Sequence, residues 1–412
     1  MLRSIKSDIR LVINFIIMNT RRSFLRSTLS SLAVLSIGSL LGCSNNRIIK
    51  PSSSTSLLDE VGVLLPPDEN GLMLPDGFTS RVIANSGVAP YSGSPFVWHD
   101  APDGGATFLT SDGGWIYVSN SEIGRNLGGV SSIRFDAAGN IINAYSILDN
   151  SNLNCAGGAT PWGTWLSCEE INRGFIWECD PYGQMMPVKR PALGRFYHEA
   201  ITVDLESNYL YMTEDLYDGC FYRFVPDSIN SNGYPNLSAG TLEVAVVDSV
   251  QFKVNWIPVP DPEASTVATR HQVDSSTEFK GGEGIVYYNG TVSFATKGDN
   301  RIWSYNTKTE TLSVVYDAGV NQNPILTGVD NITLSQDGEL VVSEDGGDLQ
   351  IVAITNSNKL VPLVQLVGHE NSEITGPAFS PDGKRLYFSS QRGAKGVSND
   401  GVTFEVTGPF HS

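Results

Sequence analysis

The chain has 412 residues, of which 41% are apolar and 17% are charged, and its formal net charge is −17. A strongly acidic chain repels phosphate backbones, which argues against nucleic acid as a partner. The charge is compatible with binding of hard cations, although solubility alone would explain it equally well. The length could hold several domains, but all-β folds often form one long domain.

The first 43 residues resemble an export signal. A twin-arginine pattern, TRRSFLR (residues 20–26), precedes an apolar run, and LLGC (residues 40–43) resembles a bacterial lipobox. A basic segment followed by an apolar one is typical of exported proteins, and this run is too short to span a membrane. We predict export by the Tat pathway to the periplasm or the outer-membrane surface, with a lipid on Cys43 as the only membrane anchor.

The remaining chain divides into a tether and one all-β domain. Residues 44–70 contain many Ser, Asn and Pro residues, so we expect them to form a tether. In residues 71–412, runs rich in Val, Ile, Tyr, Phe and Thr alternate with Asp-Gly, Asn-Gly and Gly-Gly turns. This alternation is typical of β-strands, and no long helical periodicity interrupts it.

A repeated unit consists of a turn, an apolar strand, Ser or Thr, and then polar or acidic residues. Its copies are GWIYVSNSE (114–122), GTWLSCEE (163–170), NYLYMTED (208–215), GTVSFATK (290–297), GELVVSED (338–345) and GKRLYFSSQ (383–391). Apart from one insertion before residue 290, the copies recur at roughly 45 to 48 residues, which is typical of propeller blades. We therefore predict an all-β, six-bladed β-propeller, with a β-sandwich as the alternative.

The predicted propeller brings acidic residues together. The equivalent strand of every blade ends at the same face, near the axis. The acids expected there are Glu122, Glu169 or Glu170, Glu214 or Asp215, and Glu344 or Asp345. Crowded carboxylates repel one another unless cations lie among them, and Ca²⁺ takes six to eight oxygen ligands. We therefore predict a central metal site.

One stretch, NCAGGATPWGTWLSCEE (154–170), combines two thiols, a Gly-Gly pair and two acids. A thiolate and carboxylates beside a tight turn could bind a metal, or they could be a buried thiol and solvated acids. Export also permits disulfides. Cys155 could pair with Cys168, and Cys179 could pair with Cys220, but the spacing does not decide between these arrangements.

Several motifs resemble the PhoX-type alkaline phosphatases. They are NCAGGATPWGTWLSCEE (154–170), GRFYHEA (194–200), YMTEDLYDGCFYRF (211–224), GVDNI (328–332), EITGPAFSPDG (373–383) and HDAPDGGATF (99–108). The resemblance extends over about residues 75–391. It implies a six-bladed propeller that holds iron and calcium ions at its centre and hydrolyses phosphate monoesters, so Ca²⁺ and Fe³⁺ are the cofactors it predicts.

The resemblance also implies a set of metal ligands. Cys155 matches a thiolate that binds iron, Glu199 a bridging carboxylate, and Asp330 an iron ligand. The other matched ligands are Asp215, Glu283, Asn331 and Glu373, with Glu169 and Glu170 near the site by motif.

Substrate recognition departs from the family pattern. An Arg that helps to bind phosphate stands two positions before the Glu of the Glu-Gly motif in the family, whereas Gly281 stands there in this chain. Glycine cannot replace the two-pronged contact of a guanidinium with phosphate. We expect Arg195 or Lys280 to supply the missing charge, with Lys297 as a further candidate.

These observations predict an exported, monomeric, metal-dependent phosphatase that acts on small phosphate esters. A calcium-dependent hydrolase of lactones or phosphotriesters is a first alternative, but such a site would not need Cys155. A non-catalytic metal-binding propeller lipoprotein that binds a partner is a second alternative, which Gly281 favours.

Overall fold

The computed structural model describes residues 57–320 and 324–411. The predicted export signal and Cys43 lie outside this part of the chain. Its helices are all short 3-10 turns: Leu57–Glu60, Pro191–Leu193, Thr269–His271, Lys297–Asp299, Ala318–Val320 and Ser398–Asp400. None of the helices in these two ranges is long and apolar enough to cross a membrane.

All other regular structure is β-strand. The strands are β1 (Leu72–Met73), β2 (Thr79–Asn85), β3 (Pro102–Leu109), β4 (Trp115–Ser121), β5 (Gly128–Phe135), β6 (Ile141–Ser151), β7 (Asn154–Ala159), β8 (Trp165–Glu169), β9 (Ile176–Cys179), β10 (Val188–Lys189), β11 (His198–Val203), β12 (Leu210–Glu214), β13 (Phe221–Pro226), β14 (Gly240–Val247), β15 (Val254–Pro258), β16 (Gly282–Tyr288), β17 (Thr291–Thr296), β18 (Arg301–Asn306), β19 (Thr311–Asp317), β20 (Val329–Leu334), β21 (Leu340–Glu344), β22 (Gln350–Ile354), β23 (Leu360–Leu366), β24 (Ile374–Phe379), β25 (Arg385–Ser390) and β26 (Val402–Thr407).

Six antiparallel sheets form the six blades of a β-propeller, which confirms the predicted fold. Blades 1 to 4 contain β3–β6, β7–β10, β11–β15 and β16–β19. Blade 5 contains β20–β23 with β1 at its edge, and blade 6 contains β24–β26 with β2 at its edge. The first strand of each blade contacts the first strand of the next, and β24 contacts β3, so these six strands surround the axis.

The second strand of each blade is largely apolar and almost entirely buried because it is covered on both sides. All five residues of β21 and all seven of β4 are buried. A strand that lies within a blade and between two neighbouring blades has no solvent-facing side. The repeated apolar runs of the sequence therefore correspond to the second strands, which end beside the axis.

Residues 57–70, the described part of the predicted tether, pack against the propeller, whereas residues 44–56 lie outside the described ranges. Leu58 is fully buried in a cluster with residues of blades 5 and 6, and Asp59 accepts a hydrogen bond from Thr355. The composition of residues 57–70 resembles that of a linker, but one buried leucine and a few side-chain hydrogen bonds are enough to order them.

The insertion after the third unit enlarges blade 3. Strand β15 adds a fifth strand outside β14, whereas blades 1, 2 and 4 have four strands each. Loops precede β14 and follow β15, as the sequence predicted. The second loop is anchored near the second strand of blade 3, where Thr269 hydrogen-bonds to Tyr222 and Arg270 pairs with Glu214.

Candidate metal centre

A β-bulge near the start of each first strand turns a side chain toward the axis. In five blades the register shifts between the first and fourth residues, and in blade 6 it shifts one residue later. Bulges re-aim side chains and are frequent beside active sites. The second residues of the five strands, which we call the inner ring, are Asp103, Cys155, Glu199, Glu283 and Asp330.

Small residues beside the inner ring allow the six strands to approach one another closely. A Cβ atom on Gly104 would lie 2.5 Å from the Cα of Ala156 in the next blade. A Cβ atom on Gly284 would lie 2.4 Å from the backbone nitrogen of Ile332. Only glycine fits at such distances, and the inner ring is correspondingly narrow.

A second set of side chains follows the second strands. We call these residues the outer ring: Glu122, Glu170, Asp215, Lys297, Asp345 and Gln391. Gln391 donates hydrogen bonds to Asp103 and Glu122, which links blade 6 to blade 1. Most outer-ring residues are partly exposed, whereas the inner-ring carboxylates are buried, so the site opens to solvent on the side of the outer ring.

The structure decides which acid of each pair faces the axis. The first acid turns away and accepts a hydrogen bond from the backbone N–H six residues further along the chain. These pairs are Glu169 with Phe175 (3.0 Å), Glu214 with Cys220 (3.2 Å) and Glu344 with Gln350 (2.9 Å). The second acid of each pair is then the outer-ring residue. Glu169, predicted near the metals, thus stabilises a turn instead, while Glu170 faces the cluster.

Three overlapping groups of side chains have ligand atoms within 4.8 Å of one another. They are Asp103, Glu122 and Cys155; Cys155, Glu170 and Glu199; and Glu199, Glu283 and Asp330. Cys155 and Glu199 each belong to two groups, and Cys155 Sγ lies 3.3 Å from Glu199 Oε1. We refer to the acids and the thiol of both rings, together with Glu373, as the axial cluster.

Without cations nearby, burial and mutual repulsion disfavour the ionised form of the carboxyl groups in the axial cluster. Burial, reinforced by Asp215 and other acids, raises the pKa of Glu170 to about 8. Burial also raises the pKa of Asp330 to about 6, although Lys297 opposes the rise. Glu199 is fully buried, its Oε2 has no hydrogen-bond partner, and burial raises its pKa well above the usual range. Cations among these groups would relieve both effects.

The other predicted ligands lie beside these groups. The Asn331 amide donates to Asp330 Oδ1 at 3.0 Å, and its Oδ1 accepts from the backbone N–H of Gly376 at 2.8 Å. Asp215 is close enough to raise the pKa of Glu170. Glu373 is buried, and burial, followed by the charge of Asp330, raises its pKa well above the usual range. Of the predicted ligands, only Glu169 is turned away from the axis.

The two cations predicted to be catalytic have other contacts. Arg195 Nε and Nη2 donate to the carbonyl oxygen of Arg173 at 3.0 and 2.6 Å, and the guanidinium stacks 3.8 Å above the ring of Phe175. Lys280 Nζ lies 5.0 Å above the ring of Tyr217. Lys297, the third candidate, reaches the axial cluster, with Nζ 2.9 Å from Glu283 Oε1.

Sequence reasoning did not select four residues of the site: Asp103, Glu122, Asp345 and Arg392. Glu122 and Asp345 were expected to converge with the other acids but were not chosen as ligands. Asp103 occupies the same strand position as Cys155, so an alignment of the first strands would have found it. Arg392 follows the last unit, and nothing in the repeat indicates its role.

All four cysteines in the described part of the chain are free. Neither of the two pairings left open by the sequence is therefore present. Cys168, Cys179 and Cys220 are buried packing residues, whereas Cys155 lies in the axial cluster.

Comparison with known proteins finds one matching family and solved structures with a similar fold. The family described as alkaline phosphatase PhoX matches residues 94–174 and 172–393. No curated protein matches the chain. Pseudomonas fluorescens PhoX in complex with vanadate, a transition-state analogue, has a similar fold, with a TM-score of 0.69 and 18% identity over 84% of this chain and 98% of that chain. A protein of unknown function from Bacteroides thetaiotaomicron VPI-5482 is 7% identical, with a TM-score of 0.50 over 80% of this chain and 76% of that chain.

The likeness to solved structures concerns the fold, whereas the family match concerns the sequence itself. That match includes residues of all six blades and most of the axial cluster. It confirms the resemblance predicted from the motifs and the enzyme class that the resemblance implied. The chain belongs to the PhoX alkaline phosphatase family.

Proposed function

We propose that this protein hydrolyses small phosphate monoesters at the axial cluster, with calcium and iron ions as cofactors. The carboxylate of Glu199 is the observation that carries this proposal. It is fully buried, one oxygen lacks a partner, and it belongs to two groups of potential metal ligands. An unpaired buried carboxylate is costly, so a bound cation is the natural partner.

The donor atoms fit the two metals. Carboxylate and amide oxygens suit Ca²⁺, and a thiolate with carboxylates suits an iron ion. Burial, followed by the charges of neighbouring acids, raises the pKa of Cys155 well above its usual range, so the thiol needs a nearby cation to ionise. The proposed ligands are Cys155, Glu170, Glu199, Asp215, Glu283, Asp330, Asn331 and Glu373, joined by Asp103 and Glu122.

Bound metal ions would supply Lewis-acid stabilisation of the phosphoryl oxygens and lower the pKa of an attacking water. The chain itself fixes the ligands on the ends of rigid strands and buries the inner ring, which strengthens electrostatic interactions there. We expect a phosphate ester to enter from the side of the partly exposed outer ring.

The predicted route and location of the protein belong to the same proposal. We propose export through the Tat pathway, a lipid anchor at Cys43, and action as a monomer in the periplasm or at the outer-membrane surface. The sequence of residues 1–43 and the exported character of the family support this location.

The test combines metal analysis of natively exported protein with an assay on a chromogenic phosphomonoester. We expect calcium and iron in the purified protein and activity that is lost on chelation and restored by the metals. Protein with calcium but no iron, or full metal occupancy without activity toward any phosphomonoester, would contradict the proposal. A Cys155→Ala variant with full activity would contradict the iron assignment alone.

A further inference from the structure

Two cations of the chain reach into the axial cluster. Lys297 Nζ lies 2.9 Å from Glu283 Oε1, and Arg392 Nη1 lies 2.6 Å from Glu373 Oε1. Every ion pair that a cluster acid makes within residues 57–320 and 324–411 involves one of these two side chains. These two cations are therefore the ones placed to contact both the cluster and a ligand above it.

Asp345 connects the two cations. Lys297 Nζ lies 3.2 Å from its Oδ2, and Arg392 Nη2 lies 3.9 Å from its Oδ1. Lys297 follows a strand of blade 4, Asp345 one of blade 5, and Arg392 comes from blade 6. Three adjacent blades thus hold the two positive charges on opposite sides of one carboxylate.

The exposure of these side chains places them at the open side of the site. The side chains of Lys297 and Arg392 are each 33% exposed, and that of Asp345 is 29% exposed. The carboxylates below them, Glu283 and Glu373, are only 2% and 9% exposed. A ligand entering from solvent would meet the ammonium and the guanidinium before it met the buried acids.

Gly281, which replaces the family's Arg, is an unfavourable position for a long side chain. Its φ is 65°, which side chains rarely adopt, and an added Cβ would lie 3.1 Å from Asp215 Oδ1. An Arg introduced here would carry backbone strain and crowd a proposed ligand. The charge for phosphate recognition must therefore come from another position.

We infer that Lys297 and Arg392 bind the phosphate group of the substrate, with Asp345 as the positioning residue between them. This inference rests on the proposed phosphatase function. A guanidinium forms paired hydrogen bonds with phosphate oxygens, and an ammonium adds a mobile point charge. Glu283 and Glu373 are proposed metal ligands, so metal loading leaves Asp345 as the remaining acidic partner of both cations.

The experiment measures inorganic phosphate binding to metal-loaded protein by calorimetry, alongside kcat and KM for a chromogenic phosphomonoester. The variants are Arg392→Gln, Arg392→Lys and Lys297→Gln, and the bound metal content of each is measured. Lys395→Gln is the matched control, because Lys395 lies three residues from Arg392 but pairs with Asp400. Arg392→Lys keeps the positive charge but removes the paired N–H donors of the guanidinium. It therefore separates the effect of charge from the effect of hydrogen-bond geometry.

We expect phosphate affinity to fall by about 10- to 100-fold in Arg392→Gln and in Lys297→Gln, as for lost hydrogen bonds to a charged group. KM should rise in parallel, metal content should stay unchanged, and Arg392→Lys should lie between the wild type and Arg392→Gln. The Lys395→Gln control should bind phosphate like the wild type.

Two results would overturn the inference while the proposed function stands. One is an active wild type whose variants bind phosphate normally. The other is a loss of affinity that disappears when lost metal is restored, which would make both cations supports of the metal site. An inactive wild type whose phosphate affinity still falls in the variants would overturn the proposed hydrolysis and leave the binding assignment intact.

Discussion

At the scale of single residues, two adjacent glutamates have different structural roles. Glu169 and Glu170 differ only in which side of a strand end they face. Glu169 accepts hydrogen bonds from the backbone of Asn152 and Phe175, whereas Glu170 shares a ligand group with Cys155. The sequence predicted acids here but did not show which one faces the axis. That depends on which carboxylate accepts hydrogen bonds from the backbone of the neighbouring turns.

The two residues give a matched pair of variants. Glu170→Gln should lose at least about 10- to 100-fold of activity and metal affinity, the range seen even for residues that only support metal ligands. Glu169→Gln should keep its activity per folded molecule but lose about 1–3 kcal/mol of unfolding free energy, because one backbone N–H loses its acceptor. Assays, metal analysis and denaturant titration of both variants test this, and the reverse assignment of effects would contradict it.

His99 predicts a pH dependence of stability. Burial lowers its pKa to about 3, against about 6.5 for an unperturbed histidine. The folded state therefore favours the neutral ring, so this stability is complete above pH 6.5 and is lost as the pH falls toward 3. The contribution is at most about 1.4 kcal/mol per pH unit. His99→Asn should flatten the stability curve between pH 6.5 and 4, and an unchanged slope would contradict the assignment.

At the scale of elements, the first two strands of each blade explain why the sequence predicted the number of blades but not all of the potential metal ligands. The second strands are largely apolar, and four of the six are followed directly by an acid, so their period was visible and predicted the blade number. The first strands bulge, and a bulge breaks the two-residue alternation on which strand patterns depend. Asp103 therefore went unrecognised, Glu199 and Asp330 were found only through family motifs, and Cys155 was noticed because a thiol stands beside a Gly-Gly pair and two acids.

Close packing of the bulged strands can be tested at Gly104. In Gly104→Ala, the new Cβ would lie 2.5 Å from the Cα of Ala156 and 2.8 Å from the carbonyl oxygen of Cys155. We expect a loss of about 1–3 kcal/mol or more of stability, as for other overpacked sites, with a fall in bound metal because Asp103 and Cys155 separate. Gly62→Ala is the control, since an added Cβ meets no atom within 4 Å there. Equal stability of the two variants would contradict the close packing of the first strands around the axis.

At the scale of the whole molecule, chain closure joins segments from both ends of the propeller. Strand β2 supplies the edge of blade 6, β1 supplies the edge of blade 5, and Leu58 packs beneath them. The sequence predicted blade repeats but assigned residues 44–70 to a tether, because a single buried leucine leaves no periodic signal. Closure of this kind depends on contacts across most of the chain and is invisible to local patterns.

Two truncations test the closure. A chain that begins at Leu57 retains all described elements and should unfold in one cooperative transition with the metal content of the longer protein. A chain that begins at Ser86 lacks β1 and β2, exposes the edges of two sheets, and should aggregate or unfold at a lower temperature. Calorimetry and size-exclusion chromatography distinguish these outcomes. Equal thermal midpoints would show that the N-terminal strands are dispensable.

The contact of Gln391 with Asp103 and Glu122 has a consequence for biosynthesis. The two acids stand at the beginning of the propeller and the amide near its end, so the rings are incomplete until nearly the whole chain has been synthesised. A nascent or prematurely terminated chain would carry many of the ligands without the enclosure that brings them together. Completion of the rings therefore depends on a contact between residues that are 288 positions apart in the sequence.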